Sequence, residues 1–307
     1  MPTTETTFAP AKVVEMPYGA ASPRQVSLLS SVIVNNETND REWGSGLTWR
    51  PDACAPPDDP YWWICPEGEG VSAEAEYGTK VVGEQADTYR FRPFSIWTGY
   101  ECSTFGFLAQ EAEARARRLL EAKQSAMIEA ELWTGTVAQA GGFPNDYIVN
   151  SPTVLSSSGI VTALAELEQA ASEVSGIPVI HAQPRVVAAW CSQYLVTPSP
   201  SGRQLRTCQG TLVVPGSGYS GAYGADPVSK TTSYAGVTGM VAVYLGPVRI
   251  TSAEETSSRD NGAGSPADSD VDTQLNNLVV RAERTAAVVF DPCVKAIINV
   301  KLDSLFT

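Results

Sequence analysis

One histidine, His181, is all that 307 residues contain. With no second histidine to join it and no C-x-x-C pair among Cys54, Cys65, Cys102, Cys191, Cys208 and Cys293, the sequence offers no ligand set at zinc spacing. Charged residues are scarce as well, at 18%, against roughly a quarter in an average soluble domain. The charge is also one-sided, with 21 basic against 34 acidic residues and a net charge of −13. Affinity for DNA comes largely from neutralising phosphates, so this balance argues against sequence-specific DNA binding. The one basic cluster is Arg115, Arg117 and Arg118. No window approaches the eighteen or so apolar residues of a membrane span, and "MPTTETTFAP" has neither the basic start nor the apolar run of a secretory leader. A soluble, membrane-free compartment is expected.

What is present is enough for a folded protein. Hydrophobic residues make up 43% of the chain, sufficient for one large core or two modest ones. The 25 glycines and 21 prolines predict long irregular segments. Residues 1–39 are Thr-rich and Pro-punctuated around one short apolar run, "SLLSSVIV", and read as an arm. Residues 40–97 carry Trp43, Trp49, Trp62, Trp63 and Trp97, many prolines and alternating runs such as "TYRFRPFSIW". They read as a long excursion with little core of its own, stable only by packing on something else. Cys54 and Cys65 flank its loop "CAPPDDPYWWIC" and are read as two thiols, with a disulfide as the alternative in an oxidising environment.

The chain then changes character. "STFGFLAQEAEARARRLLEAKQSAMIEAELWTG" has a Ser103 or Thr104 cap, no proline, strong helix formers throughout and Gly135 as its stop. Leu108, Ala112, Ala116, Leu119, Leu120, Met127 and Ala130 form its apolar stripe, and its arginines read as a solvated face. A second helix is expected over "SSGIVTALAELEQAASEVSG", a buried strand over "IPVIHA", and a third helix from Pro184. "RQLRTCQGTLVVP" and "GMVAVYLGPVRIT" read as strand pairs, "SAEETSSRDNGAGSPADSD" as an acidic loop, and the remainder as two or three strands joined at Asp291-Pro292.

Within this pattern "VVPGSGYSG" matches G-x-G-x-x-G at Gly216, Gly218 and Gly221, the fingerprint of a dinucleotide-binding turn. The fingerprint requires a helix after the third glycine, to hold a pyrophosphate on its N-terminal amides. "AYGADPVSKTTSYAGVTG" has no helical stripe, so the glycines are expected to serve a turn. Ser220 sits in a loose cousin of the hydrolase nucleophile elbow, again with no helix to follow it, and His181 lies upstream of the serine. His181 is expected at a strand end, bonded to backbone. Glu254 and Glu255 fall in the acidic loop, without an apolar setting to raise a pKa. "PYWWI" could serve as a sugar-stacking platform, but no second feature supports a glycosidase or a carbohydrate-binding module. No catalytic, cofactor-binding or metal-binding residue is assigned and no cofactor is expected.

Segments that cannot bury themselves imply neighbours that bury them. At the C-terminus "NNLVVRAERTAAVVFDPCVKAII" resembles the closing segment of tailed-bacteriophage major capsid proteins, the Hong Kong ninety-seven fold. Arg281, Glu283 and Arg284 stand in the charged stretch, "TAAVVF" in the apolar strand and Asp291-Pro292 in the turn. "EARARRLLEAKQSAMIEAELWTG" and "LAELEQA…GIPVIHAQPRVVAA" are similar to segments of actinobacteriophage shells. The resemblance implies an α+β tailed-phage capsid fold. Its parts would be an N-terminal arm (1–39), an extended loop with flanking strands (40–97), a peripheral domain with a long spine helix (98–150), an axial α/β domain (151–251) and peripheral return strands (252–307). It also implies a non-enzymatic structural protein that self-assembles into hexamers and pentamers of an icosahedral virion shell, built in the host cytoplasm around double-stranded DNA. Scaffolding, portal and decoration proteins are the further partners implied. An encapsulin-like nanocompartment shell is the alternative, and a carbohydrate-binding or nicotinamide-dependent protein a distant one. Some relatives cross-link a lysine to an asparagine; Lys80 would be the donor, and no catalytic glutamate is assigned to that reaction.

Overall fold

The computed structural model describes residues 26–37, 39–50, 88–103, 109–172, 177–200, 202, 204–224, 228–252, 271–272 and 277–303. In chain order its elements are α1 (Leu28–Ser31), β1 (Ile33–Asn36), β2 (Leu47–Trp49), β3 (Tyr89–Phe91), β4 (Phe94–Ser103), α2 (Ala109–Thr134), α3 (Thr136–Gly141), β5 (Thr153–Gly159), α4 (Ile160–Ser172), β6 (Val179–Ala182) and α5 (Pro184–Ser192). They continue with β7 (Val196–Pro198), β8 (Leu205–Thr207), β9 (Leu212–Pro215), β10 (Thr232–Thr238), β11 (Val241–Leu245), β12 (Arg249–Ser252), β13 (Val271–Asp272), β14 (Asn277–Phe290) and β15 (Lys295–Lys301).

The long helix α2 runs 26 residues, about 39 Å. Its buried stripe recurs every four residues through Ala112, Ala116, Leu120, Ile128 and Leu132, the spacing that keeps side chains on one face. Gly135 ends it in the left-handed conformation, φ 60°, as its place in the sequence requires. Small side chains at 112 and 116 let the helix sit close on β4, where Thr98 Oγ1 donates to the Ala116 carbonyl at 3.2 Å. Ser103 is not a helix cap: it ends β4 opposite Asn277, because continuing the ladder bonds its backbone where a cap would break the strand. Thr104 and Leu108 lie outside the described residues.

Among the described residues, two large sheets carry the fold. In the first, β14 is the centre: β4 lies antiparallel along one side over ten residues, from Ser103 opposite Asn277 to Phe94 opposite Ala286. β11, β12 and β13 line up end to end along the other side. The expected strand pair over 240–251 is therefore not a hairpin, since β11 and β12 each pair with a different stretch of β14. The closing segment is two strands, and Arg281, Glu283 and Arg284 lie within one unbroken strand, β14. Alternation explains this. Ala282, Ala286 and Phe290 are fully buried while Arg281 faces out with its guanidinium 5.2 Å from the Trp97 ring centre.

The second sheet has the order β5-β15-β10-β6-β9-β8-β7. Its central strands β15, β10, β6 and β9 are buried on both faces and so separate two cores. Ile180, Ala182, Val213, Ala235, Val237, Ile298 and Val300 face α4 and α5; Val179, Val214, Tyr234 and Ile297 face the core that contains α2 and the first sheet. Pro184 opens α5 at its first turn, but Ser157 and Ser158 are strand rather than helix start. The parallel ladder of β5 on β15 uses that backbone, and α4 begins directly at Ile160. The chain leaves the second sheet at Thr238 for β11 in the first, and returns after Phe290 as β15. The chain thus crosses between the sheets near 239 and 291.

Three carboxylates tie segments together, Asp40 and Glu131 buried and Asp146 half-buried. Asp40 accepts from Arg249 Nη2 at 2.7 Å and from Thr285 Oγ1 at 2.8 Å. Asp146 accepts from Lys295 Nζ at 2.6 and 2.8 Å. Glu131 accepts the Val137 and Ala138 amides at 2.7 and 2.8 Å and so caps α3.

Leu120, fully buried on the inner face of α2, tests this packing. Leu120→Ala is expected to lower unfolding free energy by about 2–5 kcal/mol, measured by chemical denaturation. Arg117→Ala on the exposed face should stay within about 0.5 kcal/mol of the parent.

Candidate functional site

The glycine motif leaves β9 and lies against α2. Gly216 N–H closes on the Ala182 carbonyl at 3.0 Å, and Gly218 then meets the helix backbone. A Cβ on Gly218 would stand 1.9 Å from the Ala126 carbonyl oxygen, and one on Gly216 2.3 Å from the Tyr219 ring. Both glycines are thus required by close approach. No described residue between Gly221 and Thr231 is helical. The turn has no helix N-terminus to offer a pyrophosphate, as the sequence led us to expect.

The loop instead inserts Tyr219. Its ring is 2% exposed and lies 5.4 Å from Trp133, centre to centre. Its hydroxyl is 2.8 Å from His181 Nδ1, and His181 Nε2 is 2.9 Å from Thr238 Oγ1. The loop is held further by Trp133 Nε1, which donates to the Ala222 carbonyl at 3.0 Å, and by Gln183 Nε2, which donates to the Tyr219 and Ser220 carbonyls. Beneath it Glu129, fully buried on α2, accepts the Gly218 amide at 2.9 Å on Oε2. Its Oε1 takes the Leu28 amide at 3.1 Å and Ser125 Oγ at 2.9 Å.

His181 corrects one expectation. Its partners are side chains, Tyr219 and Thr238, where a backbone bond was expected, because its ring points across the sheet into the α2-side core. Burial pushes its pKa down to about 3, so it is a neutral spacer with both nitrogens occupied and cannot serve Ser220 as a base. Ser220 is exposed, and its Oγ accepts from the Ala222 amide at 3.3 Å. Burial raises Glu129 above its ordinary value, with the donated hydrogen bonds opposing. Tyr219 is raised by burial first and by the Glu129 charge second. Arg115 stacks on Tyr100 and donates to its hydroxyl at 2.7 Å, while Arg117 and Arg118 are exposed. Among the described residues no cluster of His, Cys, Asp and Glu could hold a metal ion, and Cys191 and Cys208 are free thiols. Cys54, Cys65, Trp62, Trp63, Lys80, Glu254 and Glu255 lie outside the described residues. Sequence reasoning missed Glu129 and Glu131, since a glutamate in a helix of alternating charge looks solvated; only their offset toward the 128–133 stripe hinted otherwise.

No protein-family model matches the sequence, and no curated protein matches it. Solved structures do. The chain is similar to a chain of the capsid of an empty GTA particle computed with C5 symmetry, at 10% identity and TM-score 0.50 over 92% of this chain and 97% of that one. It is also similar to a chain of Mycobacterium phage Adephagia, at 12% identity and TM-score 0.51 over 95% of each. The fold is capsid-like, of the Hong Kong ninety-seven type. In this capsid-like fold the Tyr219 loop is the joint between the long helix and the second sheet, and its chemistry is adhesion between segments.

Two outcomes follow from the joint. Gly218→Ala forces the loop off α2 and leaves buried groups unpaired, so it is expected to lower stability by at least about 2 kcal/mol. Gly224→Ala, where a Cβ meets nothing within 4 Å and only the positive φ resists, should cost about 1 kcal/mol. Denaturant midpoints compare the two. For pH, His181 has a folded pKa below its ordinary 6.5. Its contribution is therefore complete above that value and is lost as pH falls from 6.5 toward about 3. Glu129, raised, works in the opposite sense and weakens the fold as pH rises through its window. Denaturation midpoints across pH 3–7 should show a shallower acid slope in His181→Gln than in the parent; identical slopes would assign the acid loss to other groups.

Proposed function

We propose that this chain is the major capsid protein of a tailed bacteriophage, assembling into hexamers and pentamers of an icosahedral head around double-stranded DNA and carrying no enzymatic activity. The supporting observation is end-to-end likeness: the match to the GTA capsid chain spans 92% of this chain and 97% of that one. In this reading α2 is the spine helix, and with the sheet around β14 it forms the peripheral domain. The seven-stranded sheet with α4 and α5 forms the axial domain, built from about 151–238 and closed by β15. Residues 1–39 are the arm, and 40–97 are the extended loop with its flanking strands.

The acidic balance suits a container. With a net charge of −13, the shell does not adhere to the polyanion it encloses. Assembly would draw on apolar burial and backbone pairing between copies, each contact modest and the sum large. The native location is then the virion, with assembly in the host cytoplasm.

Negative-stain microscopy of the purified full chain tests the reading, with closed shells or rings of five and six expected. A monodisperse monomer at high concentration would remove it. Native particles carrying a cargo protein and no nucleic acid would move the assignment to a nanocompartment shell.

A further inference from the structure

The carboxylate of Glu129 is shared between two segments remote in sequence. Oε1 takes the amide of Leu28, 101 residues before it, and Oε2 the amide of Gly218, 89 residues after it. Leu28 is the first residue of α1, where an amide has no partner within its own helix. Gly218 is the residue whose missing side chain lets the loop touch α2. We propose that Glu129 couples docking of the N-terminal segment to seating of the Tyr219 loop, so that release of either loosens the other.

The physical reason is the state of the carboxylate. It is fully buried, so its charge is tolerable only while donors surround it. Three of those donors, the amides of Leu28, Ser217 and Gly218, arrive from outside its own helix. When the N-terminal segment lifts, Oε1 keeps only Ser125 Oγ, and the group draws water or shifts toward it, which weakens its hold on Gly218. When the loop lifts, the same argument runs toward Leu28. Tyr219 extends the effect, because its ring packs on Trp133 and its hydroxyl reaches His181 of β6. The N-terminal segment is thereby joined to the second sheet through one side chain. A second route exists through packing, since Gln204 Nε2 donates to the Ser31 carbonyl at 3.0 Å, and the test must separate the two. The coupling belongs to the single chain and stands or falls independently of the capsid reading. What that reading adds is a consequence: an arm engaged by a neighbouring subunit is felt at the axial domain.

Hydrogen exchange on the full chain, read in peptides covering 26–36 and 216–222, tests it. Leu28→Ala keeps the amide and removes the side chain. Leu28→Pro removes the amide as well, at a first helical position where proline is tolerated. Exchange in 216–222 is expected to be about tenfold faster in Leu28→Pro than in Leu28→Ala. In a Glu129→Gln background that difference should vanish. Gly218→Ala should accelerate exchange in 26–36 by a similar factor, and only while Glu129 is present, which decides the matter should Leu28→Pro not fold. Equal loop exchange in the two Leu28 variants, or a difference that persists in Glu129→Gln, overturns the proposal.

Discussion

The approach of Gly218 to the backbone of α2 is the contact on which the arrangement of this molecule depends. A residue with any side chain would stand inside the Ala126 carbonyl, and the loop would be held off the helix. Because it is not, the Gly218 amide reaches Glu129, Tyr219 enters the core, and its hydroxyl closes on His181. One missing methyl group thus permits a buried carboxylate, a buried phenol and a buried imidazole to satisfy or oppose one another. Groups of this kind are tolerated only when paired, which makes the joint an all-or-none feature.

Around that joint the framework is simple. β14 is long enough to carry one long partner on one side and three short ones in line on the other. The central strands of the second sheet, buried on both faces, are what allow one chain to maintain two cores. The chain passes between the sheets three times, between β4 and β5, near 239 and near 291, so neither half is a contiguous stretch of sequence. Asp40, with Arg249 and Thr285, and Asp146, with Lys295, fasten residues far apart in the chain at other points. The buried polar groups of the joint, Glu129, Tyr219 and His181, are engaged in holding segments together.

Much of the fold was legible locally. The stop at Gly135, proline at the first turn of α5, the buried run of β6 and the hairpin of β8 and β9 each follow from conformational preference or short-range periodicity. Misreadings fell where a distant partner competed with a local signal. Ser103 and Ser157 look like helix starts, yet both are strand, because β14 and β15 supply ladders that a cap cannot match. The glycines of the dinucleotide-like motif read locally as a turn, but their use as a point of contact with α2 lay beyond local reading.

By itself the sequence determined element types, the scarcity of reactive groups, the acidic balance and the length of the central helix, since these rest on backbone preference, composition and spacing along a few turns. Only the tertiary structure decided that Glu129 is buried between Leu28 and Gly218, that β11 and β12 lie end to end along β14, and that His181 answers to Tyr219 and Thr238. Each of those facts depends on residues tens to hundreds of positions apart meeting at hydrogen-bond distance, and no local pattern encodes the identity of so distant a partner.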